Sequence, residues 1–147
     1  MIEIRFAKEN EFEAIHNLSV EFQNEDICYG IIADDATFYK NKNVLIAIYD
    51  NKIVGYAYGI IEEKKTDSSF YKKGDKSFYL EELYVKKEFR NLKIGSQLFK
   101  KIEEYAKELN ATHLELSTST KDYHKALNFY IKMMGLNYWS SYLIKDI

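Results

Sequence analysis

The stretch from Leu80 to Leu98 constrains this chain more than any other, because its pattern changes period partway along. Residues 78–85 are apolar and strand-like, and residues 89–93 form a short polar turn. Ile94, Leu98, Ile102, Tyr105 and Leu109 then recur at helical spacing. A strand that enters a helix through so short a turn exposes the helix's first N–H groups, which have no partner inside the helix and lie at the positive end of its dipole. Such a turn is an anion site made of backbone. Gly95 has no Cβ to hold a pyrophosphate away, and Arg90 and Lys93 add positive charge nearby.

The remainder reads as a mixed α/β chain. Ile2, Ile4 and Phe6 alternate with charged residues as in a half-buried strand. Phe12, Ile15, Leu18 or Ser19, and Phe22 follow at helical spacing. A short helix is expected over residues 34–39. Residues 44–49 and 53–61 read as two strands joined tightly at Asp50-Asn51, and Gly55 and Gly59 in the second imply a bulge or a close backbone approach. Leu114 and Leu116 mark a further strand. Ala126, Leu127, Tyr130, Met133 and Met134 mark another helix, ending near Gly135. Residues 138–144 are aromatic-rich and read as a last strand. The chain has no proline, so its turns rest on Asn, Asp and Gly.

Composition narrows the function. Residues 1–147 suit one domain with one sizeable core. Residues 1–60 carry ten acids against five bases, whereas residues 61–101 carry eleven bases against seven acids. A polyphosphate would favour the middle segment and a cationic ligand the first. The overall pI near 6.0 argues against nucleic acid as a partner. No apolar run approaches the ~20 residues of a membrane span, and the N-terminus lacks a signal peptide's layout. Cys28 is the only cysteine, so no internal disulfide can form and the protein is expected in the cytoplasm, with Cys28 a structural thiol. His16, His113 and His124 lack metal-ligand spacing, and no metal is expected.

Two segments resemble the GNAT superfamily of N-acetyltransferases. Arg90-Asn91-Leu92-Lys93-Ile94-Gly95 is similar to the coenzyme A-binding signature Arg/Gln-x-x-Gly-x-Gly/Ala, and Leu83-Tyr84-Val85 to the strand before it. Ala126-Leu127-Asn128-Phe129-Tyr130, with Gly135-Leu136 after it, resembles the second motif, Ala-x-x-Phe/Leu-Tyr-x-x-x-Gly-Phe, with one residue more before the glycine. The resemblance covers nearly the whole chain. It implies the acyl-CoA N-acyltransferase fold: an α/β domain with a central, mostly antiparallel sheet flanked by helices, and a V-shaped split between strands 78–85 and 113–117. It implies acetyl-CoA as co-substrate, bound by Leu83, Tyr84, Val85, Arg90, Asn91, Leu92, Lys93, Ile94, Gly95, Ser96 and Tyr130. It also implies a possible homodimer. Two positions depart from the pattern. Lys93 stands where the first signature glycine belongs. Tyr123 stands where an Asn usually contacts pantetheine, so that contact is either lost or taken over by Ser117 or Asp122.

The chemistry implied is direct attack of an amine in a ternary complex. An alkyl amine has a pKa near ~10.4, so a base must take its proton. A backbone N–H around residues 83–85 would serve the developing oxyanion. Tyr130, on the motif tyrosine, is the candidate acid for the leaving thiolate. For the base, Glu81 carries over from the similar Leu-Glu-Asp/Glu pattern of spermidine/spermine N-acetyltransferases, with Glu82 as an acceptor-binding acid. Glu115 on the next strand is the other candidate. Strand alternation would let only one of Glu81 and Glu82 face the cleft. Glu21, Glu25, Asp26, Tyr29, Asp34, Asp35, Phe38 and Tyr39 would form an acidic, aromatic wall suited to a small cationic amine, such as a polyamine or aminoglycoside. A protein or peptide amine, or acyl-CoA binding without turnover, are the alternatives.

Overall fold

A computed structural model describes residues 1–147. Five strands form one sheet in the order β1-β2-β3-β4-β5: β1 (Ile2–Phe6), β2 (Leu45–Tyr49), β3 (Lys52–Glu63), β4 (Lys76–Val85) and β5 (His113–Glu115). The first three pairings are antiparallel and β4–β5 is parallel. The connection between β2 and β3 is the two-residue turn Asp50-Asn51. Both residues have positive φ, 48° and 60°, the conformation that matches the twist of a hairpin's strands. This is the mixed, mostly antiparallel sheet with flanking helices that the sequence implies.

Each face of the sheet has its own core. On one face lies α2 (Ile94–Glu108), whose Ile94, Leu98, Phe99, Ile102 and Ala106 pack on Leu45, Ala57, Phe78, Leu80 and Val85. Fully burying an Ile, Leu or Phe side chain contributes about 1.5–3 kcal/mol. On the other face lies α1 (Phe12–Glu25), whose Ile15, Leu18 and Phe22 pack on Tyr39, Val44, Ile46, Tyr56, Tyr58 and Tyr84. The expected short helix is a 3₁₀ segment, Ala36–Asn41, capped by the Asp35 carboxylate accepting from the Thr37 N–H. No helix is long and apolar enough to cross a membrane.

Two bulges reset the alternation of the middle strands. The β2–β3 register slips between Ala47 and Ile48, and the β3–β4 register slips between Tyr58 and Gly59. Tyr58 pairs with Glu82 while Gly59 pairs with Leu80, so Glu81 is the extra residue on β4. Gly59 is there because nothing larger fits: a Cβ would lie 2.2 Å from the Tyr79 carbonyl oxygen.

β5 contacts β4 only where Ser77–Tyr79 meets His113–Glu115. Beyond Tyr79, β4 has β3 on one side and no strand on the other. This is the expected split, although β5 is shorter than the 113–117 anticipated. The last strand expected over residues 138–144 is absent: the segment has no regular structure, and Tyr142, Leu143 and Ile144 are exposed. A strand needs a ladder partner, and here the tail instead packs through Trp139, which meets Phe70 edge-on at 5.4 Å and stacks on Tyr71 at 6.3 Å.

α3 (Tyr123–Leu127) continues into a π-helical stretch, Asn128–Met133. There the Met134 N–H bonds the Phe129 carbonyl, five residues back. One residue more per turn is what a π-helix accommodates. The extra residue before Gly135 is therefore absorbed by widening the helix.

Candidate active site

The turn between β4 and α2 has the geometry of an anion cradle. Asn91 and Lys93 both adopt left-handed backbone, with φ of 72° and 60°. The backbone N–H groups of Asn91, Leu92, Lys93, Ile94, Gly95 and Ser96 donate to no acceptor in the chain, and the helical ladder starts with the Gln97 N–H on the Lys93 carbonyl at 3.1 Å. Alternating left- and right-handed residues turn successive N–H groups toward one point. Lys93 holds this left-handed backbone despite carrying a side chain. Asn91, Leu92 and Lys93 are exposed, whereas Ile94 is core.

Three expected contributions differ in detail. A Cβ on Gly95 would stand 3.8–3.9 Å from Phe129, Leu83 and Val85, so the missing side chain faces the sheet and not the anion; what Gly95 offers is its N–H. Arg90 is engaged elsewhere: its Nε donates to the Val85 carbonyl at 2.9 Å, and its Nη2 pairs with Glu25 at 2.8 Å. It ties the turn to α1. The Tyr84 side chain also turns to α1, stacking on Phe22 at 4.7 Å and donating to Glu25, so only its backbone remains for a ligand. Leu83 and Val85 face α2.

The three candidate bases share one face. The bulge puts both Glu81 and Glu82 on the α1 side, which corrects the expectation that alternation admits only one. Glu115 lies on that face as well, accepting from the buried Ser77 hydroxyl. Their partners separate them. Glu81 is paired with Lys42 at 3.0 Å, and that ammonium lies 4.6 Å from the Phe38 ring centroid. Glu115 is paired with Lys64 at 2.8 Å. Burial pushes the Glu115 carboxyl up, but hydrogen bonds from Lys64, Ser77 and Tyr71 outweigh it and hold it below the usual range. Glu82 has no cationic partner. It accepts from the Tyr56 hydroxyl and, at 3.2 Å, from the Tyr58 hydroxyl. Burial raises its pKa, and the nearby Asp34 and Glu81 charges raise it further against the pull of the two tyrosines.

Tyr130 sits on the π-helical stretch with its ring 6.0 Å from Phe99 and 4.9 Å from Phe129. Its hydroxyl has no hydrogen-bond partner in the chain. Burial, with Cys28 nearby, pushes its pKa up to about 12, so it carries its proton at neutral pH. Cys28 belongs to a strap in which residues 27–29 bridge to residues 119–121, with the Tyr29 N–H on the Ser119 carbonyl at 3.0 Å. Tyr130 thus packs with the α2-side core, whereas Cys28 packs with the α1-side core. Tyr123 is exposed against His124. Asp122 caps α3 through the Lys125 N–H at 3.2 Å, and Ser117 bonds the Tyr79 hydroxyl at 2.7 Å.

Of the expected acceptor wall, Asp34, Phe38 and Tyr39 face the Glu82 cluster, whereas Glu25 is used by Arg90 and Tyr84, Glu21 by Lys86 at 3.3 Å, and Asp26 by Lys121 at 2.8 Å. Lys42, Lys64, Tyr56 and Tyr58 were not foreseen. The Tyr56-x-Tyr58 spacing did mark a shared strand face.

The family profile described as acetyltransferase (GNAT) matches residues 5–136. No curated protein matches in sequence. Among solved structures, a ribosomal-protein-alanine N-acetyltransferase from Brucella melitensis biovar Abortus 2308 superposes with a TM-score of 0.71 at 16% identity, covering 99% of this chain and 100% of that one. An aminoglycoside acetyltransferase from an uncultured soil metagenomic sample, in complex with sisomicin, gives 0.73 at 17% identity, covering 99% and 96%. An aminoglycoside N-acetyltransferase in complex with CoA gives 0.70 at 15% identity, covering 100% and 95%.

Proposed function

The chain belongs to the acetyltransferase (GNAT) family, and from that premise we propose that residues 1–147 are one catalytic domain transferring the acetyl group of acetyl-CoA to a primary amine by direct attack. One observation carries the reading: six successive free N–H groups, Asn91 to Ser96, at the start of α2. A pyrophosphate fits such a run, because it brings many acceptors and negative charge to the positive end of a helix. The open edge of β4 over Leu83, Tyr84 and Val85 offers backbone groups to an amide-bearing arm. Bound acetyl-CoA supplies an acetyl group activated as a thioester.

The chain's own groups then have these roles. Glu82 takes the proton from the amine nitrogen, since it alone of the three carboxylates lacks a lysine and its raised pKa brings it nearer the working range of a base. Tyr130 holds a proton at Oη for the departing sulfur. The negative charge of Asp34 and Glu82, with no ammonium paired to either, favours a cationic acceptor, whereas Glu81 and the Phe38 and Tyr58 rings already face the Lys42 ammonium. The acceptor we expect is a small polyamine or aminoglycoside-like amine. We also place the protein in the cytoplasm, and expect a second copy as partner on the open β5 edge and the exposed tail.

The test is direct. Acetyl-CoA should raise the melting temperature, and free thiol should appear with spermidine or kanamycin but less with a peptide amine. No thermal shift at high acetyl-CoA concentration sinks the cradle. A shift without thiol release from any amine leaves a binding module. Sedimentation of the same preparation as a monomer rules out the dimer.

A further inference from the structure

One hydroxyl stands between two carboxylates on the α1 face. Tyr58 Oη lies 3.2 Å from Glu82 Oε2 and 3.3 Å from Asp34 Oδ2. Tyr58 is buried on β3, stacked on Tyr56 with ring centroids 6.3 Å apart. Asp34 is half-buried in the segment after α1, pinned by its N–H on the Ser19 hydroxyl at 3.1 Å and by its carbonyl on His16 Nδ1 at 2.7 Å. A phenol has one proton, so it donates to one carboxylate at a time, and its oxygen accepts from the other only when that carboxyl is protonated.

Resting on the assignment of Glu82 as base, we propose that Tyr58 and Asp34 are the route by which the proton taken from the acceptor amine leaves the site. A protonated Glu82 donates to Tyr58 Oη as the Tyr58 O–H bond passes its proton to Asp34. The Glu82 O–H bond breaks, one O–H bond forms as another breaks at Tyr58 Oη, and an O–H bond forms at Asp34. Tyr58 is neutral before and after, and the net change is one proton moved from Glu82 to Asp34, which releases it to solvent. Glu82 is half-buried, and an acceptor seated on it would cover the side that remains open, leaving the tyrosine bridge as the way out for its proton. The charged and titratable groups facing the pair are Tyr39 from the 3₁₀ segment, Tyr56 from β3, Glu81 from β4, Asp35 beside Asp34, and Lys42, whose ammonium is 5.3 Å from the Tyr58 ring centroid. Lys42 is held by Glu81, so it does not compete for the bridge. Tyr58 and Asp34 act through Glu82, as relay residues rather than groups that touch the acceptor.

Full-length wild type, Glu82→Gln, Tyr58→Phe and Asp34→Asn are assayed for thiol release with spermidine and kanamycin as probes, over rising concentrations of imidazole. Glu82→Gln should lose at least about a hundredfold in kcat, and the two relay variants about tenfold with KM for acetyl-CoA unchanged. Imidazole, as a diffusible proton acceptor, should recover the relay variants. Wild-type kcat in Tyr58→Phe and Asp34→Asn, or a loss that imidazole does not lessen, overturns the relay. A wild-type rate in Glu82→Gln overturns the base assignment instead. Carboxyl ¹³C titration gives a reading that needs no acceptor: the Glu82 curve should move to higher pH in Tyr58→Phe, because a hydroxyl whose hydrogen bond stabilises the ionised Glu82 is gone. Identical curves in the two proteins refute the bridge.

Discussion

A tyrosine hydroxyl that is half-buried, protonated and without a partner is an asset to a transferase and of little consequence to a fold. Tyr130 has that character. Its ring packs on Phe99 and Phe129, and those contacts do not involve the hydroxyl. Tyr130→Phe should therefore keep its melting temperature and its acetyl-CoA affinity while kcat falls about a hundredfold, the scale of one lost general acid. A large affinity loss measured by calorimetry would make Tyr130 a packing residue. Motif spacing singled out this residue among the 13 tyrosines. By contrast, the resemblance made Glu81 the base and Glu82 an acceptor-binding acid, and the surroundings of the two residues favour the opposite roles. What separates them is a lysine 39 positions away from Glu81 and two tyrosines on a neighbouring strand, partners that only the tertiary structure brings together.

At the scale of elements, regular structure was legible where one segment carries its own pattern. The α2 stripe, the Asp50-Asn51 hairpin and the glycine-marked β3 all follow from local spacing. The bulge at Glu81 does not, because a bulge belongs to the register between two strands and not to either sequence alone. The last strand failed for a related reason: residues 138–144 have strand-like composition but no ladder partner within the chain. The start of α2 gives a prediction at this scale. Lys93 sits at φ 60°, ψ 18°, where a side chain costs about 1–2 kcal/mol and glycine nothing, although glycine gives back about 0.5–1 kcal/mol in chain entropy. Lys93→Gly should thus raise stability by up to about 1 kcal/mol in urea unfolding. It should also leave acetyl-CoA affinity within a few-fold, because the N–H is retained. A lower urea midpoint would mean that the lysine side chain itself holds the turn.

For the whole molecule, the two most instructive carboxylates push stability in opposite directions with pH. The Arg5 guanidinium, donating at 2.8 and 2.7 Å, holds Glu11 at about 2, against an ordinary 4.5. The folded state then prefers the ionised form more than the unfolded chain does. The gain is complete above pH 4.5 and is lost as pH falls toward 2. Glu82 has the reverse sign. Its folded pKa is raised, so the folded state holds the proton more tightly than the unfolded chain, and its contribution fades as pH rises above 4.5. At neutral pH the fold therefore carries a desolvated carboxylate that it would be more stable without. Glu82→Gln should melt higher than wild type at pH 8, with the advantage disappearing below about pH 4.5, while Glu11→Gln should melt lower at pH 8 and converge with wild type near pH 2. Calorimetric scans of the three proteins across that range read both signs at once. If Glu82→Gln melts lower at pH 8, the two tyrosine hydrogen bonds outweigh the cost of burial, and Glu82 is a structural acceptor. If it melts higher while losing activity, the same burial that weakens the fold is what makes the carboxylate basic enough to take a proton from an amine.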